Sequence, residues 1–289
     1  MKNLMCATFL LLLAAPLRGA DLKIPINDTT HATLDRAERA LRRGAFSEAI
    51  VATSSVIEAD PKNVRALVLR GRANGETLQH DKAVADYDAA LKLQSRMAGI
   101  HQYRGVEQFK LAKINEAIAD FDKVLELDPS QAAQHWQRGI ALYYAGRFED
   151  GRKQFELHQT VNRNDVENAT WHFLCTARSQ GIEKARTTLI PIEGDARVPM
   201  KQIHALFAGK ATAQEVLAAA EAGSPTSDEL KNRLFYAHLY LGLYYAAGGN
   251  QKLTEDHITK AAGPYGQNHY MGDVARVHAQ LLRSKTAPK

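Results

Sequence analysis

Residues 98–131 read AGIHQYRGVEQFKLAKINEAIADFDKVLELDPSQ, and the letters that organise this stretch return at a fixed distance on either side. Arg104-Gly105 recurs as Arg70-Gly71 and as Arg138-Gly139, each 34 residues away. Ala117 has Ala83 before it and Gly151 after it. Phe121 has Tyr87 and Phe155, Leu125 has Leu91, and Pro129 has Pro61 two periods upstream, while Ala37 and Ala49 carry the register further back. A period of this length marks a stack of like units, each burying its apolar face only against its neighbours. Two antiparallel helices need small residues where they cross, and an aromatic ring fills the adjoining gap.

Composition agrees with helices. Of 289 residues, 45% are apolar and 24% charged, which is ordinary globular usage and excludes collagen, coiled coil and a polytopic membrane protein. Only 9 Pro and 19 Gly interrupt a chain rich in Ala, Leu, Arg, Lys and Glu, so an all-α fold is expected.

A small residue at the eighth place of 34, Ala at the twentieth, an aromatic at the twenty-fourth and Pro at the thirty-second resembles the tetratricopeptide repeat. The resemblance implies a right-handed superhelical solenoid of antiparallel helix pairs, with units at 30–63, 64–97, 98–131 and 132–165. Unit one departs from the pattern at Thr53, and unit four at Gly151 and Arg163. After Asp165 the strict register dissolves but helical periodicity continues. Residues 166–229 read as a degenerate pair (Trp171 to Gln180 and Ile182 to Leu189), a loop marked by Pro191, Gly194 and Pro199, and two short helices. Thr226 with Glu229 forms a capping-box signature that launches a last repeat-like unit, and a helix from about Asn268 to Arg283 closes the region 230–283, leaving 284–289 as a disordered tail. The segment from Phe235 to Asn250, FYAHLYLGLYYAAGGN, with His269-Tyr270 and Ala275-Arg276 downstream, resembles the periplasmic NlpI lipoprotein family. That resemblance implies a non-catalytic adaptor, often dimeric, that brings cell-wall hydrolases to a protease or to each other.

The amino terminus, with Lys2 before the apolar run to Ala15 and Gly19-Ala20 after it, reads as a signal peptide over residues 1–20, followed by a linker over 21–29. A short uncleaved anchor is the alternative. The expected location is therefore outside the cytoplasm, periplasmic or secreted, with no integral membrane segment after cleavage. Cys6 precedes the apolar run instead of following it, so a lipid anchor is not expected. Removal of residues 1–20 leaves 35 basic against 32 acidic side chains, a charge of +3 that gives no footing for nucleic acid. Cys175 is then the only cysteine, expected as a small buried residue and not a reactive thiol.

No nucleophile elbow, HExxH, phosphate loop or paired-cysteine spacing is present, so neither catalysis nor a cofactor is expected. His101, His135 and His238 occupy equivalent places. Stacked helices stand about 10 Å apart, too far for shared ligands that must each come within about 2 Å of one zinc. A histidine-based metal-binding or enzyme-accessory domain is the rival reading, and a purely structural envelope protein the third. Arg70 and Arg104 each precede an aspartate by sixteen residues, Asp86 and Asp120, which predicts an ion pair between the two helices of a unit, while Arg138 meets Gln154.

The tetratricopeptide resemblance assigns a concave wall to the first helix of each unit. Its residues here are Arg65, Val68, Arg72 and Glu76, then Gln102, Val106, Phe109 and Lys110, then Trp136, Ile140, Tyr143 and Tyr144. Aromatic and arginine anchors beside apolar residues suit a protein or peptide ligand. Two arrangements remain open: the wall faces a ligand, or the carboxy-terminal helices cover it. The expected function is that of an exported scaffold binding proteins or peptides, with a homodimer among its allowed states.

Overall fold

The computed structural model describes residues 28–286, so the segment 1–20 expected as a signal peptide, most of the expected linker and the last three residues lie outside the described part. Fifteen α-helices and one 3-10 turn follow one another, and no strand occurs among the described residues. Two compact units divide at Ile100 and His101.

The first unit holds α1 (Asp28–Arg42), α2 (Phe46–Ala59), α3 (Val64–Glu76) and α4 (His80–Leu93). Asp28 and Thr29, expected in the linker, belong to the first turn of α1. Asn63 starts α3 as its N-cap, its side-chain oxygen accepting the Ala66 amide at 3.0 Å. Leu34, Ala37, Ala52, Val56, Ala66 and Leu69 form the buried seam of this unit.

The second unit continues with α5 (Ala98–Lys110), whose first turn precedes the division, and α6 (Ile114–Leu127). Asp128 and Pro129 end α6 and open a 3-10 turn over Pro129–Gln134, which shortens α7 to Trp136–Tyr144. Then come α8 (Phe148–Gln159), α9 (Val166–Gln180), α10 (Ile182–Thr187), α11 (Met200–Phe207) and α12 (Ala213–Glu221). The long α13 (Ser227–Ala247) begins at the Thr226–Glu229 capping box, and α14 (Gln251–Ala262) and α15 (Tyr270–Thr286) complete the order. α15 runs past Arg283 to Thr286, so residues 284–286 are helical and not part of a disordered tail. One continuous core joins Phe121, Phe155, Trp171, Phe173, Phe207, Phe235 and Tyr240. Cys175 is buried in it, and burial pushes its thiol pKa up.

The periodic letters do what helix crossing requires. A methyl group placed on Gly105 would stand 2.7 Å from the Phe121 ring and 3.2 Å from Asp120 Cβ, and Gly71 and Gly139 meet Tyr87 and Phe155 at the same 2.7 Å. Gly105→Ala should therefore lower stability by about 1 kcal/mol net, because overpacking of about 1–3 kcal/mol outweighs the better helix propensity of alanine. A more stable alanine variant in a urea titration would place the crossing elsewhere.

The ion pairs expected at a spacing of sixteen form in both units. The Arg70 guanidinium donates to both oxygens of Asp86, at 2.6 and 3.0 Å, and Arg104 grips Asp120 at 2.7 Å through two nitrogens. Arg138 reaches Gln154 Oε1 at 3.2 Å and adds Asp122 at 2.6 Å.

One periodic feature has no periodic letter. The turn between the helices of each unit carries one residue in the left-handed region, and these again stand 34 apart: Gly44 (φ 77°), Leu78 (61°), Ala112 (57°) and Gly146 (76°). Leu78 is 69% exposed, so its side chain gains little from packing there. Leu78→Gly should raise stability by about 1 kcal/mol by relieving the strain of an L-residue at positive φ. A calorimetric melting temperature at or below that of the parent would contradict this.

Candidate functional site

The first-helix wall is described unit by unit. In the first unit, Arg65 lies half-buried on α3 and donates to Asp35 at 2.6 Å and Glu38 at 2.7 Å, both on α1. Val68 is part of the core, Arg72 is half-buried, and Glu76 is exposed at the end of α3. This portion of the wall is largely charged, and its Arg65 is already paired.

In the second unit the wall is aromatic, and α15 covers it. Phe109 of α5 is fully buried. Its ring stacks on Tyr270, the first residue of α15, at 5.4 Å and an 18° interplanar angle, while Trp136 of α7 meets Tyr270 edge-on at 5.0 Å. Tyr144 closes on Phe109 at 5.8 Å, and its hydroxyl lies 3.0 Å from Nδ1 of His278, two turns further along α15. Tyr270, Val274 and His278 are spaced by four, which puts them on one helical face. Ile140 and Tyr143 are buried, and Tyr143 packs against Tyr144, Phe148 and Trp171. Gln102 is buried, Val106 half-buried, and Lys110 Nζ bonds Glu107 Oε1 at 2.7 Å. An open groove over these residues is thus corrected: Tyr143 packs against Phe148 of α8 and Trp171 of α9, Ile140 is buried in the core, and Phe109, Trp136 and Tyr144 meet the chain's own α15. Their apolar rings were surface that needed an occupant, and α15 offers a matching face.

The histidines do not converge. His101 Nδ1 sits 2.7 Å from Asp120 Oδ1, on the carboxylate that Arg104 also holds. His135 is buried edge-on to Phe121, and burial pulls its pKa down to about 4. His238 faces His257, Nδ1 to Nδ1 at 2.7 Å, and burial first, then the neighbouring ring, lowers His238 to about 4 as well. Among the described residues no three His, Cys, Asp or Glu side chains form a group that could hold a metal ion.

The tetratricopeptide repeat family matches residues 104–131, the stretch from Arg104 through Pro129 that carries the full pattern. Solved structures agree over more of the chain. A tetratricopeptide repeat protein from Parabacteroides merdae superposes with a TM-score of 0.59 at 14% identity, covering 89% of this chain and 100% of that one. MamA from Desulfovibrio magneticus RS-1 gives 0.52 at 18% identity over 56% of this chain and 91% of that one. The chain has the tetratricopeptide-repeat fold. Among curated proteins the comparison finds no match. No described helix is long and apolar enough to cross a membrane.

Beyond the regular tetratricopeptide units lies a charged cluster that periodicity does not announce. Arg197, in the loop before α11, donates to Glu167 at 2.5 Å, Asp165 at 2.7 Å and Asp195 at 2.6 Å. Tyr240 of α13 donates its hydroxyl to the second oxygen of Glu167 at 2.8 Å. Three carboxylates share one guanidinium. Burial, with Asp165 adding to it, raises Glu167 from 4.5 to about 7 against the pull of Arg197. The folded pKa lies above the unfolded one, so the stability contributed by the proton on Glu167 is complete below about pH 4.5 and lost as pH rises through 7. Between pH 8 and pH 5 the parent should gain about 2 kcal/mol relative to Glu167→Gln. Parallel pH profiles of the two proteins in urea would refute this.

Proposed function

We propose that this chain is an exported adaptor that binds helical segments of partner proteins and performs no chemistry of its own. One observation carries the reading: the first-helix wall of α5 and α7 holds a helix, with Tyr270 gripped between Phe109 and Trp136. A tetratricopeptide wall built of aromatic rings recognises an amphipathic helix by its periodic apolar anchors. Export rests on the Lys2-to-Ala20 pattern, and a cell-envelope role on the resemblance of Phe235–Asn250 to the NlpI family. By that resemblance a homodimer belongs to the same proposal.

Cross-linking of the full chain in an envelope fraction, read by mass spectrometry, tests the adaptor reading. Links from partner proteins should cluster on α5, α7 and α15, and links confined to other helices would overturn it. Amino-terminal sequencing of the same material should give a start near Asp21. Intact Met1 in a cytoplasmic fraction would remove the export claim.

A further inference from the structure

The hairpin of α13 and α14 is joined by two buried histidines. His238 of α13 and His257 of α14 bring Nδ1 to within 2.7 Å of Nδ1. They form the middle of a four-ring stack, with Tyr265 on His238 at 5.2 Å and Tyr245 on His257 at 5.5 Å. One residue on, Ile258 packs against Gly242 where the two helices cross. The latch and the crossing thus share one turn of α14.

Two nitrogens at this distance have one way to bond. One ring carries its proton on Nδ1 and donates it, and the other accepts at Nδ1 and keeps its own proton on Nε2. A first acid proton goes to Nε2 of the donor ring, and the bridge persists as a charge-assisted bond. A second has only the accepting Nδ1 to occupy. Two N–H groups then face each other, the bond is gone, and two buried cations adjoin.

We propose that His238 and His257 are an acid-operated latch: one shared proton holds α14 on α13, and a proton on each facing nitrogen releases it. Among the described residues the charges acting on the pair are Asp256 and Lys260 of α14, which bond each other at 2.9 Å. Titratable groups on the other packed helices turn elsewhere. On α15, Asp273 holds Arg276 and His278 meets Tyr144, while Glu167 of α9 takes Arg197 and the Tyr240 hydroxyl. Glu215 of α12 caps its own helix at Thr212, and His204 of α11 bonds the Ile190 carbonyl. Because α15 packs on α14, release passes on to the helix that meets Phe109 and Trp136. The latch goes beyond the adaptor reading and does not depend on it. For an exported chain, which meets the pH of its surroundings, it is a response to acid.

Burial and the neighbouring ring hold His238 at about 4 in the fold, against 6.5 for a ring released into water. The open form therefore binds more protons, and closure is complete above pH 6.5 and lost as pH falls towards 4. Hydrogen exchange of the full chain at pH 7.5 and 4.5, corrected for the intrinsic exchange rate, reads this. The amides of α14 should lose about thirtyfold in protection or more, counting the second proton alone, while those of α9 keep most of theirs. The double variant His238→Asn, His257→Asn replaces each ring with an amide that bonds but does not titrate, and its α14 should stay protected at both pH values. Unchanged α14 protection in the parent, an equal loss in α9, or the same loss in the double variant would each overturn the latch. The comparison of α14 with α9 within the parent decides even where the double variant does not fold.

Discussion

Phe109→Ala is expected to cost about 3–5 kcal/mol of unfolding free energy, the range for truncating a fully buried aromatic side chain. The ring touches Tyr144 on one side and stacks on Tyr270 on the other, so its removal leaves a void that α15 and α7 can close only by moving. Both tryptophans, Trp136 and Trp171, belong to the second unit, and their fluorescence in a urea titration follows the unfolding of that unit alone. A wall open to solvent would behave otherwise, with a loss well under 1 kcal/mol. Trp136→Ala, followed through Trp171, should fall in the same direction by a smaller amount, because Trp136 is only half-buried.

The second large effect belongs to Arg197. Removing one partner of a buried charge cluster costs about 3–5 kcal/mol, since the charges left behind are neither paired nor hydrated. The Arg197 side chain is 35% exposed, and solvent screening brings the expected cost of Arg197→Met to about 2–4 kcal/mol at pH 8. With the guanidinium gone, Glu167 and Asp195 lose the charge that favours their ionised forms in the folded state. The deficit should therefore shrink as pH falls to 5. A deficit that is constant across this range would show that Arg197 acts through packing and not through charge.

The crossing residues were legible because geometry leaves little choice. A methyl group at Gly71, Gly105 or Gly139 meets a ring at 2.7 Å, so the glycine and the ring recur together and give the period its strongest letters. The paired Arg70–Asp86 and Arg104–Asp120 are legible for the same reason, as the spacing of sixteen faces one helix of a unit with the other. The left-handed turn is equally periodic but was hidden, because Leu78 and Ala112 occupy it where glycine would have marked it. α9 begins at Val166, five residues before the Trp171 expected from the apolar run, because the Asp165 side chain caps it by accepting the Glu167 amide at 3.0 Å. By register Asp165 is the last residue of a repeat, and its capping role has no periodic signature.

The site divides along the same line. The aromatic wall could be assigned from the tetratricopeptide resemblance and the register together, since Phe109, Trp136 and Tyr144 fall at the places that the resemblance turns inward in each unit. What occupies it could not be read locally. Tyr270, Val274 and His278 form a helical face like many others, and only the tertiary contact with Phe109 and Trp136 shows where that face is spent. The Arg197 cluster draws on Asp165, Glu167, Asp195 and Tyr240, separated by as many as 75 residues from first to last, with no repeat to connect them.

Hydrogen exchange along α15 in the full chain tests the central claim most directly. Free protein should protect the amides from Val274 to His278 strongly, as expected for a helix seated against Phe109, Trp136 and Tyr144. Rapid exchange of α15 in the free protein would contradict a wall that holds the chain's own helix.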